Sequence, residues 1–338
     1  MIGRTMKAIR FFIVVMILLA TSASSLAQKS TVYLSVLSTK LFVVGAANPQ
    51  TGIFHRSTSD TGWKHTGPPN IRAFGFDVHT PSRGSLLAIA SGNGVHQSRD
   101  GGKTWKITTG WEITEVQSVV IDRNDRTFML CTTPYGVFRT LDGGMSWREC
   151  NSGIREKFTS SVIIDQKNSN LLYCATDDGV YRSENRGDSW QRTGLAVGGG
   201  RVVVQHPTDS NTLIVGTENH GIYITRNSGA TWDKTEAGLD HSTFYTIVYD
   251  PTNPQVLYAG GYVTGVYKST DGGQSWVRKN DGLTTLNIHS LAVDPTNGNR
   301  VFAGTHGGCV FESDNAGSTW RSAGLHGSQV WTISVQPF

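Results

Sequence analysis

The stretch Ser269–Trp276 reads STDGGQSW: three hydroxyls around a carboxylate, two glycines and a closing tryptophan. A carboxylate beside two hydroxyls can be a catalytic cluster or a turn, and the rest of the chain decides between them. The pattern recurs as SRDGGKTW ending at Trp105, TLDGGMSW at Trp147, SENRGDSW at Trp190, TRNSGATW at Trp232 and SDNAGSTW at Trp320. From Trp105 the steps to successive tryptophans are 42, 43, 42, 44 and 44 residues, and a worn copy, STSDTGW, ends 42 residues upstream at Trp63. A period of roughly 40–45 residues with strand-like content marks the blade of a β-propeller. The copies predict seven blades.

Each unit has the same internal order. In the last one HSLAV reads as a strand, DPTNGN as a turn, RVFAGT as a strand, HGG as a loop and CVFES as a third strand. The box then turns the chain into a fourth strand near Trp320. Short apolar runs punctuated by Asp, Pro, Asn and Gly argue for strands joined by tight turns, and no sustained helical period appears. The expected fold is all-β: a single seven-bladed β-propeller of four-stranded blades, whose radial closure protects the sheet edges.

The box itself reads as a hairpin. Glycine supplies positive φ, and an Asp or Asn side chain accepts hydrogen bonds from backbone N–H groups just downstream. Asp100, Asp142 and Asp271 occupy the key position in three copies, and Asn185, Asn227 and Asn315 occupy it in three others. A catalytic or metal-binding carboxylate would not survive an amide in half its copies; a hydrogen-bonded turn does. Trp105, Trp147, Trp190, Trp232, Trp276 and Trp320 are expected as core pieces between neighbouring sheets.

These boxes resemble the Asp-box (bacterial neuraminidase) repeat propellers. Phrases such as DPTNPQVLYAG followed by GVYKSTDGGQSW are similar to repeats of photosystem II assembly factors, sortilin-type receptors and xyloglucan-cleaving glycosidases. The resemblance covers nearly all of the chain after residue 27 and implies the propeller fold. The box occurs in enzymes and non-enzymes alike, so activity has to be argued from a site.

At the N-terminus, Arg4, Lys7 and Arg10 precede an apolar run and Ser25-Leu26-Ala27. This pattern predicts a signal peptide over residues 1–27, a propeller over 28–338, and a periplasmic or secreted protein with no membrane span after processing. Losing three positive charges takes the formal +4 to about +1, which speaks against nucleic-acid binding. The segments TVYLSVLS and SQVWTISVQP at the two ends both read as strands. The C-terminal one is expected to close the ring, while either could supply the innermost strand. The four cysteines lack a framework spacing and read as buried small hydrophobes. No metal or cofactor motif is present in the sequence, and a monomer is expected.

A ligand site, on this reading, lies on the face opposite the boxes, where the loops vary. The loops between second and third strands carry Asn93, Tyr135, Asp177, Asp178, His220, Tyr262 and His306. The segments leading into the first strands carry Arg72, Trp111, Glu115, Phe158, Arg201, Phe244, His289 and Trp331. Aromatic and polar groups around one rim suit a protein, peptide or carbohydrate ligand.

The alternative is glycoside hydrolysis, which needs two carboxyl groups flanking one bond. Asp177, Asp178, Glu218 and Glu115 are the acids on that face. The sialidase resemblance implies an arginine cluster and a tyrosine–glutamate pair, of which only Arg72 and Arg201 are in evidence. The xyloglucanase resemblance implies a catalytic Asp in a loop like that of Asp177, within a site formed between two propellers. A non-catalytic binding scaffold is the expectation that these residues favour.

Overall fold

The structure is a computed structural model that describes residues 30–39, 51–79 and 85–337; the expected leader over residues 1–27 lies outside the described residues. Among the described residues every helix or strand element is a strand, and the strands form seven antiparallel four-stranded sheets. The chain is a seven-bladed β-propeller. Blade 2 is typical, running outward through Ala73–His79, Leu86–Ser91, Gly94–Ser98 and Lys106–Ile107. Blades 3 to 7 follow in chain order, with inner strands Ser118–Ile121, Thr159–Ile164, Gly200–Gln205, Phe244–Asp250 and Ile288–Asp294.

Blade 1 is built from both ends of the chain. Ser328–Pro337 is its innermost strand, and Ser30–Thr39, Gly52–Ser57 and Lys64–Thr66 follow outward. The C-terminal strand therefore lines the channel, and the N-terminal strand sits between it and the rest of the blade.

Seven apolar clusters hold the ring together, one in each gap between neighbouring blades. The second strands supply much of this core because they are covered on both faces; Leu172–Thr176 and Leu213–Thr217 are buried throughout. All four cysteines are buried free thiols. Burial raises the pKa of each, taking Cys150 up to about 12.

The box tryptophans stitch one blade to the one before it. The indole N–H of Trp190 donates to the Cys150 carbonyl at 2.7 Å and that of Trp320 to the Lys279 carbonyl at 2.7 Å. Trp147, Trp232 and Trp276 donate to Thr108, Thr193 and Thr235, again one blade back. Trp63 of the worn copy donates to the Ala323 carbonyl at 2.7 Å, which ties blade 1 to blade 7. Trp105 differs, bonding Gly102 within its own turn.

Inside the box, Asp271 Oδ1 accepts from the backbone N–H groups of Gln274 and Ser275, both at 2.9 Å, and from the Ser269 hydroxyl at 2.7 Å. Its Oδ2 accepts from the Ser275 hydroxyl. In the amide copies Asn185 Oδ1 accepts from Ser189 N–H at 2.9 Å, while its Nδ2 donates to the Ser189 hydroxyl at 2.9 Å. Asn227 and Asn315 repeat this arrangement with Thr231 and Thr319. A hydroxyl both donates and accepts, so the same turn closes around either side chain.

Candidate ligand site at the channel mouth

The inner strands share one irregularity. In blades 2, 4, 5, 6 and 7 the register against the second strand slips near the start of the strand, leaving Phe74, Ser160, Arg201, Tyr245 and His289 unpaired. In blade 1 the slip falls at Trp331 of the C-terminal strand. A β-bulge of this kind bends the strand and re-aims a side chain. Gln117 holds the same place in blade 3, just before the first paired residue, Ser118. The residue before each of these seven is buried, and each of the seven is half-buried.

Together the seven form a ring, one side chain per blade, around a cavity of about 530 Å³ at one mouth of the channel. The ring has two halves. Tyr245, His289, Trp331 and Phe74 come from adjacent blades and make a continuous aromatic arc. Tyr245 stacks on His289 with centroids 5.1 Å apart, His289 lies 4.5 Å from the Trp331 ring, and Phe74 meets Trp331 edge-on at 5.9 Å. His306 packs edge-on against His289 at 5.1 Å, and its Nε2 accepts a 2.7 Å hydrogen bond from the Gln329 amide. Burial, together with neighbouring His306, pushes the His289 pKa down to about 4, so its imidazole is neutral at pH 7.

Gln117, Ser160 and Arg201 form the polar half. Arg201 is clamped between two acids: it donates to Asp177 at 2.5 Å, and through Nε to Glu218 at 2.8 Å. Its guanidinium also lies 5.6 Å from the Phe158 ring centroid. Burial works against the Arg201 charge, but the hydrogen bonds to Asp177 and Glu218 outweigh it and hold the group above its ordinary range. The two acids reach Arg201 from loops that follow the second strands of blades 4 and 5.

The other candidates scatter around this ring. Asn93, Tyr135 and Asp178 hold one and the same turn position, where a Ser or Thr hydroxyl accepts their backbone N–H. Asp178 is drawn into that turn, its carboxylate accepting from the Tyr181 hydroxyl at 2.5 Å and facing Arg192 at 3.5 Å. Tyr262 is 61 % exposed, and His220 is exposed on the neighbouring loop. Arg72 sits outside the ring with its guanidinium 5.5 Å from the Phe74 ring centroid, and Glu115 is exposed in a left-handed turn. Trp111 is 91 % exposed, and Phe244 belongs to the core between blades 5 and 6.

Strand periodicity alone misplaces several of these residues, because the bulge inserts one extra position. Phe74, Gln117, Ser160 and Tyr245 escape it. A readable signal exists: in the repeated phrase of one buried residue, X, then Ser, Thr, Gly or Val, position X takes seven different residue types in seven blades.

Comparison with known proteins agrees with this architecture. The sequence profile of the sortilin, neurotensin receptor 3 family matches residues 178–263, in blades 4 to 6. No curated protein matches the sequence significantly. A GH74 enzyme from Niastella koreensis is similar in structure, with 19 % identity and a TM-score of 0.61 over 77 % of this chain and 45 % of its own. The GH74 xyloglucanase from Xanthomonas campestris has 18 % identity and a TM-score of 0.63 over 90 % of this chain and 52 % of its own. The chain thus spans about half the length of these two structures. YCF48 bound to D1 peptide has 18 % identity and a TM-score of 0.54 over 72 % of this chain and 79 % of its own. The chain is a seven-bladed propeller with a box turn repeated along it, similar over part of its length to the sortilin family and in fold to the GH74 and YCF48 propellers.

Proposed function

We propose that this propeller is a non-catalytic scaffold that binds a segment of polypeptide at the channel mouth, and that it works outside the cytoplasm after removal of residues 1–27. The observation that carries the reading is the ring itself. Six bulges, at the same place in six blades, spend regular backbone pairing to turn one side chain each toward a common cavity. Four adjacent aromatic groups on one side and three hydrogen-bonding groups on the other make an amphipathic rim, which suits a chain that alternates apolar side chains with polar backbone. The likeness to YCF48 bound to D1 peptide supports a peptide as the ligand class.

The acids of this face support binding over hydrolysis. Asp177 and Glu218 both serve as ion-pair partners of Arg201, and Asp178 is committed to Tyr181 and Arg192. Each of the three therefore sits beside a cation, which favours an ionised carboxylate over the protonated general acid that glycoside hydrolysis needs.

The test combines a peptide array with an assay on xyloglucan and a sialoside. Peptide capture that is lost in Tyr245→Ala and Trp331→Ala, with no turnover of either glycoside, is expected. Turnover that disappears in the Asp177→Asn, Asp178→Asn double variant would replace the scaffold with a glycosidase.

A further inference from the structure

The aromatic half and the charged half of the ring meet at Tyr245. Tyr245 comes from the blade after Arg201, and its hydroxyl pKa is raised by burial first and by the Glu218 carboxylate second. Arg201 is the one formally charged member of the seven, since His289 is neutral at pH 7. Asp177 and Glu218 bring two negative charges against its single positive one. The cluster around Arg201 therefore carries one uncompensated negative charge at the edge of the cavity that Tyr245 and His289 line, with Glu218 near enough to Tyr245 to raise its hydroxyl pKa.

Two arginines of the chain already show what these surroundings accept. The Arg201 guanidinium lies against Phe158, and the Arg72 guanidinium against Phe74 at the far end of the arc. Aromatic faces attract guanidinium and ammonium groups through the ring quadrupole, more strongly once water is excluded. The members between, Tyr245, His289 and Trp331, line the cavity with no arginine or lysine of the chain over their rings among the described residues, although the Arg201 charge also reaches the Tyr245 hydroxyl.

Resting on the peptide reading above, we propose that the mouth recognises a basic side chain, a lysine or arginine of the bound segment, seated on the Tyr245 side of the arc with Glu218 and Asp177 as its counter-charges. Arg72 places positive charge at the Phe74 end, so the basic group is directed to the Tyr245 end and the bound segment acquires a direction across the mouth. An aromatic wall with nearby acids discriminates against a neutral isostere because both the π attraction and the ion pairing are lost.

The experiment measures fluorescence anisotropy of labelled nine-residue Gly/Ser peptides whose central residue is Arg, Lys, Gln or Glu, over a salt series. The Arg and Lys peptides are expected to bind about tenfold tighter than the Gln peptide at low salt, with the margin shrinking as salt rises. Glu218→Gln should remove most of that margin. Arg72→Ala should leave the margin intact or widen it. Thermal melts matching the parent show that each variant is folded.

Gln or Glu peptides that bind as tightly as Arg, with Tyr245→Ala still abolishing binding, would overturn the basic-residue assignment and leave the peptide site standing. Binding by none of the four peptides, together with an empty peptide array, would overturn both. Capture of an oligosaccharide that Tyr245→Ala abolishes would also overturn both, in favour of a glycan.

Discussion

At the scale of single residues, the box shows how a carboxylate can be conspicuous without being reactive. Burial raises the Asp271 pKa, but hydrogen bonds from Ser275, Ser269 and Gln274 outweigh it and bring the group down to about 2 from an ordinary 3.8. Asp100 and Asp142 are lowered further, with the hydrogen bonds of Thr104 and Ser146 as the largest causes. A carboxylate whose pKa falls on folding adds stability above its unfolded value, and that stability is lost as pH falls through the folded one. Replacing all three by Asn should leave the melting temperature at pH 7 nearly unchanged, since Asn closes the turn equally well. The same variant should lose less melting temperature than the parent between pH 4 and about 2, as a pH series of thermal melts would show. Trp276→Ala is a different matter. Trp276 is 2 % exposed and fills the gap between blades 5 and 6, so its truncation should cost about 3–5 kcal/mol in denaturant titrations.

Elements are shaped by turns and bulges that differ in how visible they are. Gly238, at φ +79°, follows the outer strand of blade 5, and a Cβ there would lie 1.9 Å from the Trp276 carbonyl oxygen of the next blade. Gly153 and Gly282 stand in the same relation to Trp190 and Trp320. Gly238→Ala should therefore destabilise by at least about 2 kcal/mol, from backbone strain and a clash with backbone that cannot yield. Gly62→Ala, with nothing within 4 Å of the new methyl, is the control and should be close to neutral by the same chemical melt. The hairpins and the order of strands were legible in the sequence because Gly, Asp and Asn leave fixed marks at turns. The channel ring was legible only in part. Arg201, His289 and Trp331 stand out by residue type, whereas Phe74 and Tyr245 lie one bulge away from where simple alternation puts them. Phe244 is expected from the sequence among the residues leading into the first strands on the loop face, and the extra residue instead sends Phe244 into the core and Tyr245 into the channel. A bulge changes the backbone count without changing composition, so one unit of sequence read alone does not reveal it.

For the molecule as a whole, stability rests on closing the ring. Ser328–Pro337 pairs with Ser30–Thr39 along nearly their full lengths, so the first and last described strands lock each other in one blade. Both also contribute to the core cluster between blades 1 and 7. Truncation after Gly327 would remove the inner strand of blade 1 and Trp331 with it. Such a chain should lose cooperative unfolding and accumulate in the insoluble fraction, whereas a chain lacking only Phe338 should melt like the parent.

The two faces of the disc are distinguished by what they present: box turns with Met145 on one, and the ring with Arg201 and Tyr245 on the other. On the proposed reading, the ring face holds a polypeptide. The most direct test is photo-crosslinking in the native host, with a benzophenone amino acid placed at Tyr245 in one strain and at Met145 in another. A protease-sensitive adduct is expected from position 245 and none from position 145. Adducts formed only from position 145, or a position-245 adduct that resists protease and yields to glycosidase, would contradict that reading.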